Sequence, residues 1–194
     1  MKWEQDLVTD IRFKDNRDDS DLPLVSVEWN SVTTDYGVNL IKEVFLNARD
    51  NCRSILEIGV NQYGFTQTFM ENKLPGTVYV GIDIEDKSFL NNKEQNIHTI
   101  KNSSSNYEEN ISIINDLGIT EFDFIFIDGW HSINQVLADW EYTNLLSSTG
   151  LVGFHDTNYH PGPNLFVNAL DTSKWFVENN CPQTDWGVGF LTRI

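Results

Sequence analysis

The stretch Phe122-Asp123-Phe124-Ile125-Phe126-Ile127-Asp128-Gly129-Trp130-His131-Ser132 is almost wholly apolar as far as Ile127 and polar beyond it. A run of bulky and β-branched residues at successive positions suits a strand covered on both faces of a sheet, so it reads as a central strand ending at Asp128. Downstream, Ser132 followed three residues later by Gln135 is a capping-box pattern, with Ile133, Val136, Leu137 and Trp140 along one helical face. Gly150 reads as the end of that turn and Leu151 to Phe154 as the next strand.

Upstream the alternation repeats. Val38, Ile41, Val44 and Phe45 are at helical spacing from Tyr36 to about Asp50, and Ser54 to Ile58 is a short apolar run ending in Glu57-Ile58-Gly59. After Gly64, the spacing of Phe65, Phe69 and Met70 predicts a helix that stops near Leu74-Pro75-Gly76. Thr77 to Ile82 reads as a strand closed by Asp83. A polar helix-like stretch, a strand around Ile97 to Ile100 and a helix from Tyr107 to Leu117, capped by Ser105 and Glu108, follow. Trp175-Phe176-Val177 and Gly187 to Leu191 would close the sheet as an antiparallel pair. The fold class is therefore α/β: a Rossmann-like, doubly wound, mainly parallel sheet with helices on both faces. Residues 36–194 form that domain, and residues 1–35, with Asp10 to Pro23 crowded with charge, read as an N-terminal arm or flap.

Composition narrows the function. The chain of 194 residues is 40% hydrophobic, enough for one substantial core, and has no run of eighteen apolar residues or export leader, so a cytoplasmic protein without membrane partners is expected. Thirteen basic against 29 acidic residues give a net charge of −16, which repels polyphosphate backbones and argues against a nucleic-acid partner. Two distant cysteines, Cys52 and Cys181, support neither a disulfide framework nor a zinc ribbon. The oligomeric state is not encoded in any of these features.

Ligands of such sheets bind at the carboxyl ends of the strands, near the point where strand order reverses. The segment from Glu57 to Thr66 has a strand end, two glycines and a helix start, so a ligand can approach Gly59 and Gly64 closely. The glycines are five apart, unlike the tighter G-x-G-x-x-G of a nicotinamide site, and the acid two positions before Gly59 suits a cationic ligand. Asp83, nineteen residues beyond Gly64, is placed to accept hydrogen bonds from both hydroxyls of a ribose. A ribose joined to a positively charged amino acid describes S-adenosylmethionine. A plain strand-to-helix turn would explain the glycines alone, though not their combination with Asp83.

A second cluster follows the central strand. His131, His155 and His160 fall within thirty residues that also contain Asp128, Asp156 and Asn158. Asp128 and Asp156 each end a strand, and neighbouring strands about 5 Å apart would aim both carboxylates into one cleft. Two carboxylates with an amide oxygen suit a hard dication such as Mg²⁺, and His131, three residues after Asp128, is a candidate general base. Trp130 is the aromatic expected to shape the pocket.

The segments Ile55 to Phe69, Gly81-Ile82-Asp83 and Phe122 to Asn158 together resemble the class I S-adenosylmethionine-dependent methyltransferases, in the branch similar to macrocin O-methyltransferases and cephalosporin hydroxylase-like proteins. The resemblance implies that Glu57, Gly59, Val60 and Gly64 line the methionine end of the cofactor, that Asp83 holds the ribose, and that Asn102 and Ser103 border the adenine. Asp128 and Trp130 would complete the cofactor wall. It also implies Asp128 and Asp156 as metal ligands and His131 as base; where relatives carry Glu-Asp or Asp-Asn this chain has His155-Asp156-Thr157-Asn158, so either His155 or Asn158 substitutes as a third ligand or the metal binds weakly. Tyr63 stands where relatives often have glycine, and Asn102-Ser103 where many have Gly-Asp-Ser. The expected activity is methyl transfer to a hydroxyl of a small sugar, polyketide or phenolic metabolite. Two other readings compete: a metal-dependent hydrolase or oxygenase using Asp128, His131, His155 and Asp156, and a non-catalytic cofactor-binding module. The lack of an H-x-D pair and of a G-x-S-x-G elbow counts against the former.

Overall fold

The computed structural model describes residues 1–12, 14, 22–27 and 32–194. Among the described residues seven strands, β1 (Ser54–Ile58), β2 (Val78–Asp83), β3 (Ile97–Lys101), β4 (Phe122–Ile127), β5 (Leu146–His155), β6 (Trp175–Asn180) and β7 (Val188–Arg193), form one sheet in the order β3-β2-β1-β4-β5-β7-β6. β1 to β5 are parallel, and β7 runs antiparallel to both β5 and β6. The helices are α1 (Lys2–Asp6), α2 (Asp35–Ala48), α3 (Phe65–Asn72), α4 (Tyr107–Asp116), α5 (Ile133–Asp139) and α6 (Pro161–Ala169).

Successive strand residues point to opposite faces, and the core accordingly divides in two. Ile55, Phe124 and Phe126 pack with Ile41 and Phe45 of α2 and Phe65 and Phe69 of α3. There Phe45 meets Phe69 and Phe124 edge-on, with ring centroids 5.3 and 5.7 Å apart, an arrangement that matches positive ring edges to negative faces. Leu56, Ile58, Ile125, Ile127 and Phe154 face the other way, under Ile114 of α4, Ile133 and Val136 of α5 and Phe166 of α6. The double winding and the closing antiparallel pair expected from the sequence are both present.

Four local features differ from the sequence reading. The polar stretch after Asp83 is a series of turns around a short 3₁₀ segment, Ser88–Leu90. Asp83, Asp86 and Asn92 side chains accept from the backbone N–H of Glu85, Ser88 and Gln95, and such local bonds compete with a helix. Helix α4 begins after Asn106, and Ser105 Oγ donates to Gln135 instead of capping it. Strand β5 begins at Leu146, so Gly150 lies inside it, where a Cβ would stand 2.6 Å from Leu146 Cδ1. Finally, Thr157 to Phe166, which from its sequence reads as a loop that chooses the substrate, contains α6, whose first turn holds Pro161 and Pro163, positions that need no helical N–H donor.

Trp3 and Ile11 are buried in the main core, and Trp140 Nε1 donates to Asp6 at 2.8 Å, so the start of the stretch read as an arm is docked. Most of the charged segment Asp10 to Pro23 lies outside the described residues. Thr33 pairs with Asp185, its N–H donating to Thr184 O at 2.9 Å. Among the described residues no helix is long and apolar enough to cross a membrane.

Candidate active site

The sheet's order reverses between β1 and β4, and a cleft of about 890 Å³ opens at the carboxyl ends of the strands there. Gly59 forms its floor on the β1 side. Its φ of +85° and the 2.1 Å separation of a built Cβ from Asp128 O require glycine, because the backbones of the β1 and β4 ends touch. Asp83, at the end of β2, accepts from Val60 N at 2.8 Å and from Glu85 N at 2.7 Å, which ties the glycine loop to its neighbouring strand.

Glu57 is 1% exposed beneath this loop. Thr66 Oγ1 donates to one of its oxygens at 2.8 Å and Tyr79 OH to the other. Burial pushes its pKa up to about 8; the two hydroxyl donors oppose that rise and the nearby Asp128 and Asp83 add to it.

On the β4–β5 side the side chains are charged and mutually bonded. His155 Nδ1 lies 2.8 Å from Asp128 Oδ1 and 3.0 Å from Asp156 Oδ2, and His131 Nε2 lies 2.8 Å from the same Asp156 oxygen. His160 approaches the other Asp156 oxygen at 4.0 Å and stacks near His131, with ring centroids 4.3 Å apart. Burial opposes charge on both His131 and His155, yet the surrounding carboxylates outweigh it and raise both pKa values, that of His155 strongly. Asp156 is correspondingly held well below the ordinary carboxylate range: burial works against its charge, and His155 and His131 prevail. Its φ of +60° is rare for a residue with a side chain and turns the chain sharply after β5.

Asp128, His155 and Asp156 each offer a ligand atom, and these atoms all lie within 4.8 Å of one another. Three donors converging in this way fit a divalent cation.

The structure brings Glu57, Gly59, Val60, Gly64, Asp83, Asn102, Ser103, Asp128, Trp130, His131, His155 and Asp156 to one cleft. Asn158 is the exception. It is absent from the lining, and its Nδ2 donates to Pro182 O and Asp185 O at 3.1 and 3.0 Å, bracing the 182–185 loop, so it is corrected from metal ligand to loop brace. Asn102 borders the cleft but spends its side chain on Glu109, Asn110, Ser103 and Asn106 at the start of α4. Sequence reasoning missed Ser104 and Gln135 as lining residues; it read His160 only as a loop residue near the substrate mouth and Trp186 as an aromatic explained by core packing. Gln135 was legible only as a cap; its amide in fact donates to Ser104 Oγ and Asp139 Oδ1 at 2.8 Å each.

Neither a protein-family model nor a curated protein matches the chain. Solved structures do. A protein assigned as a caffeoyl-CoA O-methyltransferase from Staphylococcus aureus superposes with a TM-score of 0.65 at 18% identity, over 84% of this chain and 85% of that one. MycE, a methyltransferase of the mycinamycin biosynthetic pathway solved with Mg, S-adenosylhomocysteine and mycinamycin VI, gives 0.59 at 19% identity over 80% of this chain. This chain spans 48% of MycE's length. The calicheamicin methyltransferase CalS11 gives 0.59 at 13% identity, over 81% and 78%. The chain shares the Rossmann-like fold of these methyltransferases.

Proposed function

We propose that this chain is an S-adenosylmethionine-dependent O-methyltransferase acting on a hydroxyl of a small sugar, polyketide or phenolic metabolite, assisted by a divalent cation. The observation that carries the reading is that the Gly59–Asp83 pocket and the Asp128–His131–Asp156 cluster open into a single cleft. The similar folds solved with S-adenosylhomocysteine, and in MycE with Mg, support the choice of cofactor and cation.

In this reading Gly59 and Gly64 admit the methionine end of the cofactor, Asp83 accepts from the ribose, and the positive sulfonium faces the carboxylate-rich side. The acceptor hydroxyl attacks the methyl carbon; the O–C bond forms as the C–S bond breaks, S-adenosylhomocysteine leaves, and the hydroxyl proton passes to His131. The Nε2 bond to Asp156 orients the His131 ring and stabilises the imidazolium that forms. Asp128, Asp156 and His155 would hold the dication, which supplies a lowered hydroxyl pKa and a fixed acceptor position. Methyl transfer otherwise needs alignment more than covalent help.

A second reading has one observation in its favour: His131, Asp156 and His160 form a two-imidazole, one-carboxylate group of the sort used by iron oxygenases. It leaves the Gly59–Asp83 pocket without a role. Calorimetric titration with S-adenosylmethionine and S-adenosylhomocysteine, with and without Mg²⁺, followed by a screen of small hydroxyl acceptors with methyl-labelled cofactor, separates the two. Micromolar binding and label transfer to an oxygen are expected; absence of binding under all conditions would remove the methyltransferase reading.

A further inference from the structure

The two carboxylates of the reactive cluster are met by imidazoles. His155 Nδ1 lies 2.8 Å from Asp128 Oδ1 and 3.0 Å from Asp156 Oδ2, while His131 meets the same Asp156 oxygen at 2.8 Å and His160 approaches the other at 4.0 Å. The amide that could have supplied a further oxygen, Asn158, is held on Pro182 O and Asp185 O. Glu57, the next carboxylate along the cleft, has each oxygen engaged by a hydroxyl.

His155 is fixed in this position. Its side chain is 6% exposed, its ring packs edge-on to Phe65 with centroids 4.7 Å apart, and its Nε2 is buried with no hydrogen-bond partner. Nδ1 is therefore the ring atom that serves the polar cleft. A bare lone pair cannot rest between two carboxylate oxygens, so that position holds either a proton or a metal ion.

Mg²⁺ prefers an all-oxygen octahedron with several waters, whereas imidazole nitrogen suits first-row transition ions. We infer that the cation of this cleft is a nitrogen-accepting transition dication of the Mn²⁺, Co²⁺ or Zn²⁺ class, bound by His155 Nδ1 together with Asp128 and Asp156, and that Mg²⁺ is a poor occupant. The inference rests on the reading that the cleft holds a dication for methyl transfer, and it adds which ions that dication can be.

The test uses the chelator-stripped full chain titrated separately with Mn²⁺ and Mg²⁺ by calorimetry, with pulsed EPR of bound Mn²⁺ to detect ¹⁴N coupling from a ligating imidazole. Mn²⁺, the ion of this class that least favours nitrogen, should still bind tighter than Mg²⁺ and show the nitrogen signal. His155→Ala should weaken Mn²⁺ by at least roughly 10–100-fold. His155→Glu should abolish the nitrogen coupling and narrow the gap between the two ions, and both variants should keep their affinity for S-adenosylhomocysteine. Equal affinities for the two ions, or a nitrogen signal that persists in His155→Glu, overturns the inference. Should the variants fail to fold, the wild-type affinities and spectrum still decide it. Absence of dication binding to the wild-type chain with S-adenosylhomocysteine binding intact sinks this inference and the metal assistance while leaving the methyltransferase reading; absence of both sinks that reading too.

Discussion

The two sides of the cleft are built on different principles. On the β1–β2 side, the acids are already satisfied by neutral donors: Asp83 by two backbone N–H groups, Glu57 by two hydroxyls. On the β4–β5 side, Asp128, His155, Asp156 and His131 satisfy one another. A ligand entering the first side finds a shape set by main chain and glycine. One entering the second must exchange places with charges, which is what a proton-transfer or metal site requires. Binding and reaction should therefore be separable by mutation.

The largest separation is expected at His131. His131→Ala should lower kcat by roughly 10²–10⁴-fold, while the S-adenosylhomocysteine affinity measured by calorimetry stays within a few-fold of wild type. Asp83→Ala should do the reverse, weakening S-adenosylhomocysteine about a hundredfold, the loss of hydrogen bonds to a charged acceptor worth about 3 kcal/mol. Equal losses of binding and turnover in both variants would show that the two sides act as one unit.

Gly59 is where the sides touch, through Asp128 O. Gly59→Ala should cost about 2–4 kcal/mol in chemical denaturation, from the positive φ and the backbone overlap together, and should impair binding and turnover alike.

The smallest effect concerns Glu57. Its pKa is about 8 in the fold against an ordinary 4.5, so between those values the folded chain binds more protons than the unfolded one, and its contribution to stability falls as pH rises through that window. Glu57→Gln should remove this slope. Its melting temperature, followed from about pH 5 to pH 8, should change less than that of the wild type. An unchanged slope would mean that Glu57 is ionised in the fold.

The strands and the residues that follow them were legible because each strand passes abruptly from apolar to polar at its carboxyl end: Ile58 to Gly59, Ile82 to Asp83, Ile127 to Asp128. Distance from a strand end is where the reading failed. Asn158 is only two residues beyond Asp156, but the left-handed backbone at Asp156 redirects the chain, and the amide finds the 182–185 loop instead of the cleft. His160 reaches the cleft because α6 starts beside it, and Pro161-Gly162-Pro163 looked like a loop when it is a helix's first turn. Gly162 fits there because a Cβ would come within 2.5 Å of Ser132 O, a contact that no local pattern announces. Ser104 and Gln135 were hidden for the same reason: they are joined across 31 residues by a hydrogen bond between side chains.

The pairing of Thr33 with Asp185 bears on the order in which the chain can assemble. Val60 and Asp83, which shape the binding side, are 23 residues apart, whereas the side chain of Thr33 bonds to Thr184 O across 151 residues. Closing a longer loop costs more entropy and slows the step that depends on it. As the chain leaves the ribosome, the binding side has all its strands once β4 has emerged, but the wall made by Thr34 and Trp186 waits for the 184–186 segment. The strands of the binding side should therefore be in place before the wall that Thr34 and Trp186 add to the cleft.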